Sequence, residues 1–226
     1  MKNSNNKGIK FFLAIYNSAL FFASLTLGSL LLYTFYTETA NSGSYTCKNL
    51  ENFYTNYKYV IMAYEVVQFA ELIFHTIGIS NLRYNALINI LVSNFMLFAI
   101  IERFKTYASF YWISARVLSR GVKHMYNFYI NTLGRYEIIW MDYFRFNSFY
   151  LLYPVELITM GAAVYISRTE MENSPKIFEY GEYNLSWLHI AVLFMIGAAT
   201  NFASTSYYLH NKRQELIDLY IEKYTH

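Results

Sequence analysis

Ionisable residues inside apolar runs are where chemistry is sought first, because such groups are costly in hydrocarbon and persist where they pair or act. Two glutamates, Glu65 and Glu71, interrupt an apolar run at 57–79, and Arg116, Arg120, Lys123 and His124 recur at helical spacing on one face of the run 107–130. A basic stripe of this kind suits an anionic headgroup, such as that of cardiolipin, or an acidic partner helix. The plainer reading is that its long side chains snorkel into the headgroup zone. Glu71 is open to two readings as well: a working carboxylate, or half of an ion pair with Arg145 or with the basic face of 107–130. His75 and His124 have no third ligand at usable spacing, so no metal site is expected. Cys47 is the only cysteine, which leaves no intramolecular disulfide and no thiolate cluster. There is no phosphate-cradling glycine loop, nucleophile elbow or cysteine phosphatase motif, and no cofactor is expected.

The elements that would carry these groups follow from composition. Of the 226 residues 55% are apolar and 20% aromatic, too many for an ordinary soluble surface. Mean hydropathy is only +0.19 because 24 tyrosines count as polar on that scale, although tyrosine packs well at membrane interfaces. A spanning helix needs about 20 mostly apolar residues. On that criterion the chain is expected to be all-α, a single membrane domain of six transmembrane helices over 11–35, 57–79, 84–101, 107–130, 138–166 and 187–210. The first run is too long for a signal core and is read as a retained helix. Asn41 to Ser44 read as a loop, Asn81 to Arg83 as a tight turn, and 168–182 as a charged loop. Pro154 removes a backbone donor within the fifth run and is expected to kink it.

An even number of spans puts both termini on one side, with Lys2, Lys7, Lys10, Arg83, Arg135, Lys212, Arg213 and Lys223. The acidic segment with Glu170, Glu172, Glu179 and Glu182 falls on the other side. The positive-inside rule then assigns the termini to the cytosol, or to the matrix of a mitochondrion. The net charge of +3 lies at ends and links, not in a stripe interleaved with exposed aromatics, which argues against nucleic acid as a partner.

Three stretches together resemble the 3-hydroxyacyl-CoA dehydratase family, also called protein tyrosine phosphatase-like proteins, which act in very-long-chain fatty acid elongation. FLAIYNSALF, with Tyr16 and Asn17, is similar to the family's opening span. QFAELIFHTIGI keeps the family's spacing between a membrane glutamate, Glu71, and a glycine, Gly78, while the histidine stands one place late at His75 and Phe74 takes its position. RFNSFYLLYP, from Arg145 to Pro154, resembles the family's Leu-Tyr-Pro signature and is the most specific match. The tail YYLHNKRQEL is also similar.

The resemblance implies a catalytic pair: the tyrosine of Leu-Tyr-Pro, here Tyr153, and a glutamate seven residues on. Dehydration needs a base for the C2 proton and an acid for the departing hydroxyl. The second position is Met160, which exchanges no proton. Glu156 replaces a familial glycine and lies within about 60° of Tyr153 on the helix, so it is the candidate for a displaced carboxylate. The family's Glu-x-x-Arg-Tyr motif falls on Val122, Met125 and Tyr126, which leaves only the tyrosine. Tyr153 is otherwise a packing residue whose hydroxyl finds an acceptor, and the family reading of the basic stripe is contact with a CoA phosphate.

Two functions are therefore expected. The first is a non-catalytic, dehydratase-like scaffold, an accessory subunit of a larger membrane complex whose partners are other membrane subunits and phospholipids. Richness in Asn, Tyr, Phe, Ile and Lys suggests an AT-rich genome, and lineage-specific subunits of respiratory assemblies make the mitochondrial inner membrane the expected address. The alternative is an active very-long-chain 3-hydroxyacyl-CoA dehydratase in the endoplasmic reticulum, with acyl-CoA as its ligand.

Overall fold

The computed structural model describes residues 7–44, 48–77, 84–133, 139–180 and 183–225. Six helices make up almost all of it: α1 (Lys7–Ser42), α2 (Lys48–Thr76), α3 (Tyr84–Phe95), α4 (Tyr107–Leu133), α5 (Ile139–Asn173) and α6 (Trp187–Thr225). The all-α expectation holds at this level. Cys47, Gly78, the turn at Asn81 to Arg83, Lys2 and Arg135 lie outside the described residues, as does the side chain of His75.

The helices are longer than the apolar runs, for local reasons. Asn41 and Ser42 belong to α1, which ends at Gly43, where φ is +62° and the amide donates to the Thr39 carbonyl at 3.0 Å. Glycine adopts this left-handed conformation without strain and closes the helix. α2 starts nine residues before the apolar run because Leu50, Phe53 and Tyr54 are buried in the core. Residues 168–173, expected in a loop, continue α5, and the loop beyond them contains a short antiparallel hairpin, β1 (Phe178–Tyr180) with β2 (Tyr183–Leu185). Ser186 caps α6, its amide and hydroxyl both donating to His189 Nδ1 at 3.2 and 2.6 Å. α5 is continuous through Pro154. α3 passes into a π-helical segment, Met96–Ile101, in which Met96, Leu97, Ile100 and Ile101 are all buried.

α4 occupies the middle of the bundle, packed chiefly against α1 and α5 and also against α2, while α6 covers α5 and α3. Trp112, Ile113 and Val117 of α4 join Leu27, Leu31, Phe53 and Ile61 in one core. A Cβ on Gly121 would stand 3.2 Å from Ser24 Cβ, so the missing side chain lets α4 approach α1 closely.

The outer surface is apolar while several charged side chains are buried within the core, unlike the usual soluble bundle. Phe22, Leu32, Leu151, Ile158 and Leu193 are 62 to 72% exposed, whereas Gln68, Glu65 and Arg116 are 0 to 2% exposed. Hydroxyls on the apolar helices satisfy themselves within one turn: Thr26 donates to the Phe22 carbonyl, Thr34 to Leu30 and Thr200 to Ile196, each at 2.9 to 3.0 Å. No water is needed for these groups, as a hydrocarbon environment requires. Three helical stretches are long and apolar enough to cross a membrane, Lys7–Ser42, Met141–Asn173 and Trp187–Glu215, and they suggest a membrane protein. The expected spans at 57–79, 84–101 and 107–130 do not meet that measure. The first and third carry charges, and the second contains only a shorter apolar helix, Leu87–Ile101.

Candidate functional site

Because α4 is central, its basic face points into the bundle instead of toward lipid. Arg116 is held by two carboxylates. Its Nε and Nη2 donate to Glu65 Oε1 and Oε2 at 2.7 and 2.6 Å, and its Nη1 donates to Glu156 Oε1 at 3.2 Å. The guanidinium also lies 5.4 Å from the Trp112 ring centroid. One planar fork thus ties α2, α4 and α5 together, a geometry that arginine supports and lysine does not.

One turn further along α4, Arg120 is 6% exposed, and among the described residues its hydrogen bond is to a neutral acceptor, Asn89 Oδ1 at 3.5 Å. Lys123 donates to Glu71 Oε2 at 2.5 Å. Of the two partners open to Glu71, it therefore takes the basic face of α4. His124 is fully buried, with Nδ1 3.1 Å from Asn17 Oδ1. The Asn17 amide nitrogen already donates to the Leu13 carbonyl, so its oxygen accepts and His124 carries its proton on Nδ1. Arg116 and His124 are thus enclosed in the bundle, and only Arg120 and Lys123 of the stripe line a cavity.

That cavity has a volume of about 300 Å³ and lies among α3, α4, α5 and α6. Its polar lining includes Asn89, Arg120, Lys123, Tyr126, Arg145, Tyr153 and Glu156, and its apolar lining includes Phe146, Phe149, Leu152 and Leu209. Tyr153 and Glu156 of the catalytic reading, together with Tyr126 and Arg145 of the family-matched set, therefore converge on one space. Glu71 stands behind it, bound to Lys123.

The Tyr153 hydroxyl accepts two amide hydrogen bonds, from Asn89 Nδ2 and Asn201 Nδ2, each at 3.2 Å. Its ring forms a three-ring cluster with Phe149 and Phe202, at centroid distances of 5.1 and 5.3 Å, the two phenylalanines being 5.9 Å apart. Among the described residues nothing accepts its proton, which is left for the cavity. Tyr126 donates to Asp142, and the Arg145 guanidinium lies 4.0 Å above the Tyr126 ring. Met160 is buried beside a void of about 10 Å³ that Tyr153, Glu156 and Asn201 also border. The seven-residue partner of Tyr153 is thus a thioether in a nearly filled space.

The arrangement can donate a proton from Tyr153 and attract an anion to Arg120 and Arg145. A free carboxylate is what it lacks, since Glu156 is engaged by Arg116. Sequence reasoning missed Asn89, Asn201, Phe149 and Phe202, and it left Glu65 without a partner. Both asparagines sit within apolar runs, where an amide is a weaker form of the signal that singled out Glu71.

Comparisons with protein-family models, curated proteins and solved structures return no match. The dehydratase resemblance rests on its motif residues alone.

Proposed function

We propose that this chain is a six-span membrane scaffold, dehydratase-like in plan and without dehydratase activity, serving as an accessory subunit of a larger membrane complex. The observation that carries the reading is the state of the acid and base positions. Among the described residues Glu156 is the one carboxylate lining the cavity, and it is bound to Arg116, while Met160 fills the second position. Two positioned proton-transfer groups are the minimum for dehydration, and of the candidate pair Tyr153 alone keeps a proton free for the cavity.

Support for six crossings comes from where the charges of α2 and α4 lie. Glu65 and Glu71 of α2 are paired with Arg116 and Lys123 of α4 inside the bundle, so the outward faces need not carry these charges. The 27 residues of α4 reach about 40 Å against about 30 Å of hydrocarbon. With six crossings both termini share one face, the matrix side if the membrane is mitochondrial. The mitochondrial inner membrane is the proposed address, and the endoplasmic reticulum belongs to the enzymatic alternative.

The test is direct. Protein solubilised from its own membranes in mild detergent is incubated with long-chain 3-hydroxyacyl-CoA beside a Tyr153→Phe control. The expected result is no 2-enoyl product from either, with the chain migrating in a complex far larger than itself on a native gel. Product formation that depends on Tyr153 would overturn the proposal.

One observation favours the second reading, an active dehydratase. The Tyr153 hydroxyl is oriented by two amides with its proton free, and Glu156 shares its cavity. In that case Glu156→Gln as well as Tyr153→Phe would abolish turnover, Tyr153 and Glu156 supplying the acid and base between them.

A further inference from the structure

Two guanidiniums on the cavity wall have donors that the protein leaves open to the cavity. Four ionised side chains line it: Arg120, Lys123, Arg145 and Glu156. Glu156 shares Arg116 with Glu65, and Lys123 is bound to Glu71. Among the described residues no carboxylate comes within ion-pair distance of Arg120 or Arg145. Arg120 is more than nine-tenths buried and has one long hydrogen bond to a neutral amide. Arg145 rests on the Tyr126 ring, whose hydroxyl is committed to Asp142. A buried guanidinium whose hydrogen-bond donors are unmet is unfavourable even with a carboxylate nearby, and an anion in the cavity would satisfy them.

The rest of the lining says what the anion is attached to. Phe149 and Leu152 of α5 and Thr205 of α6 are half-buried. Next to them the flanking residues Leu151 and Tyr207 are 68% and 72% exposed. The charged end of the cavity is thus continuous with an apolar strip on the outer face of α5 and α6. A molecule with a phosphate and acyl chains matches both parts.

We infer that the cavity between α4, α5 and α6 is a binding site for an anionic membrane phospholipid, its phosphate held by Arg120 and Arg145 and its acyl chains laid along α5 and α6. Ser119 and Ser148, which also line the cavity, supply hydroxyls for the headgroup. The inference rests on the membrane placement proposed above and is independent of whether catalysis is lost.

The full chain, purified and delipidated in mild detergent, is titrated with phosphatidylglycerol, phosphatidylcholine or inorganic phosphate while its thermal unfolding is followed, and retained lipid is counted by native mass spectrometry. Wild type is compared with Arg120→Gln/Arg145→Gln and with Lys176→Gln, a control at an exposed cation remote from the cavity lining. Phosphatidylglycerol is expected to raise the unfolding midpoint of wild type and of Lys176→Gln, and phosphatidylcholine is not. Loss of each guanidinium should weaken phosphatidylglycerol binding by about tenfold or more, the usual worth of a hydrogen bond to a charged group. Equal binding by the double variant would overturn the site, and an equal effect of inorganic phosphate would overturn its assignment to a lipid. Should the double variant not fold, equal stabilisation of wild type by phosphatidylglycerol and phosphatidylcholine overturns it too. Carbonate extraction of the starting membranes reads membrane placement separately, so its failure is distinguishable from failure of the lipid site.

Discussion

Replacing Arg116 by methionine tests whether the buried ion triad organises the bundle. The substitution keeps an unbranched chain of similar reach, but it leaves Glu65, which is 2% exposed, and Glu156, which is 8% exposed, as two carboxylates without their ion-pair partner. Removing one partner of a buried pair costs about 3–5 kcal/mol, and most of that is the stranded charge. The single changes should rank by geometry. Glu65 makes two short contacts, of which a glutamine oxygen can keep one while its NH2 opposes the other donor, so Glu65→Gln is expected to cost about 2–3 kcal/mol. Glu156 has one contact at 3.2 Å, and a glutamine oxygen can still accept it, so Glu156→Gln should cost about 1 kcal/mol. A triple change, Glu65→Leu, Arg116→Met and Glu156→Leu, removes all the charges together and should restore much of the stability, because well-packed apolar residues can replace a buried triad. Denaturant unfolding in detergent micelles measures the series, with tryptophan fluorescence as the probe since Trp112 lies against Arg116. A triple variant as unstable as Arg116→Met would refute the reasoning, as would Glu156→Gln costing more than Glu65→Gln.

Two further outcomes are expected. Gly121→Val places branched carbon where a Cβ would already stand 3.2 Å from Ser24, so α4 and α1 must separate, at a cost of about 1–3 kcal/mol in the same unfolding assay. A variant as stable as wild type would remove the close-approach argument. Glu102 follows the π segment outside the apolar run; burial pushes its carboxyl up, but the hydrogen bond and charge of Lys58, together with Tyr54 and the charge of Lys105, outweigh this and hold it below the ordinary value of 4.5. A carboxyl depressed in the folded state lends stability that is present above that value and lost as pH falls through the folded one. Wild type should therefore lose more stability than Glu102→Gln between about pH 5 and pH 3, and parallel pH profiles would contradict the assignment.

Much of the candidate site was legible one residue at a time. The basic stripe of α4 could be read as a helical face because four ionisable groups recur with a helix's spacing, and Glu71 was conspicuous as a carboxylate in an apolar run. Their partners were not legible. Arg116 meets Glu65 across 51 residues and Glu156 across 40, and Tyr153 meets Asn89 across 64 and Asn201 across 48. No periodicity within one helix encodes such pairings. Helix ends were misjudged where polar segments remain helical. Hydropathy marks where apolar side chains stop, whereas backbone hydrogen bonding continues through Glu170 and Glu172 until residues such as Gly43 in α1, or the segment after Asn173 in α5, end it.

The sequence by itself determined that this is a helical protein with apolar surfaces, since long runs without charge can satisfy their backbone in hydrocarbon only as helices. It also determined which residues are chemically exceptional. Only the tertiary structure decided that α4, the run most interrupted by charge, is the centre of the bundle rather than its margin. The physical reason is that a charge inside an apolar run has two low-cost destinations, the headgroup zone or a partner within the protein. The choice between them depends on whether carboxylates from other helices arrive opposite it, which the chain acquires only on packing.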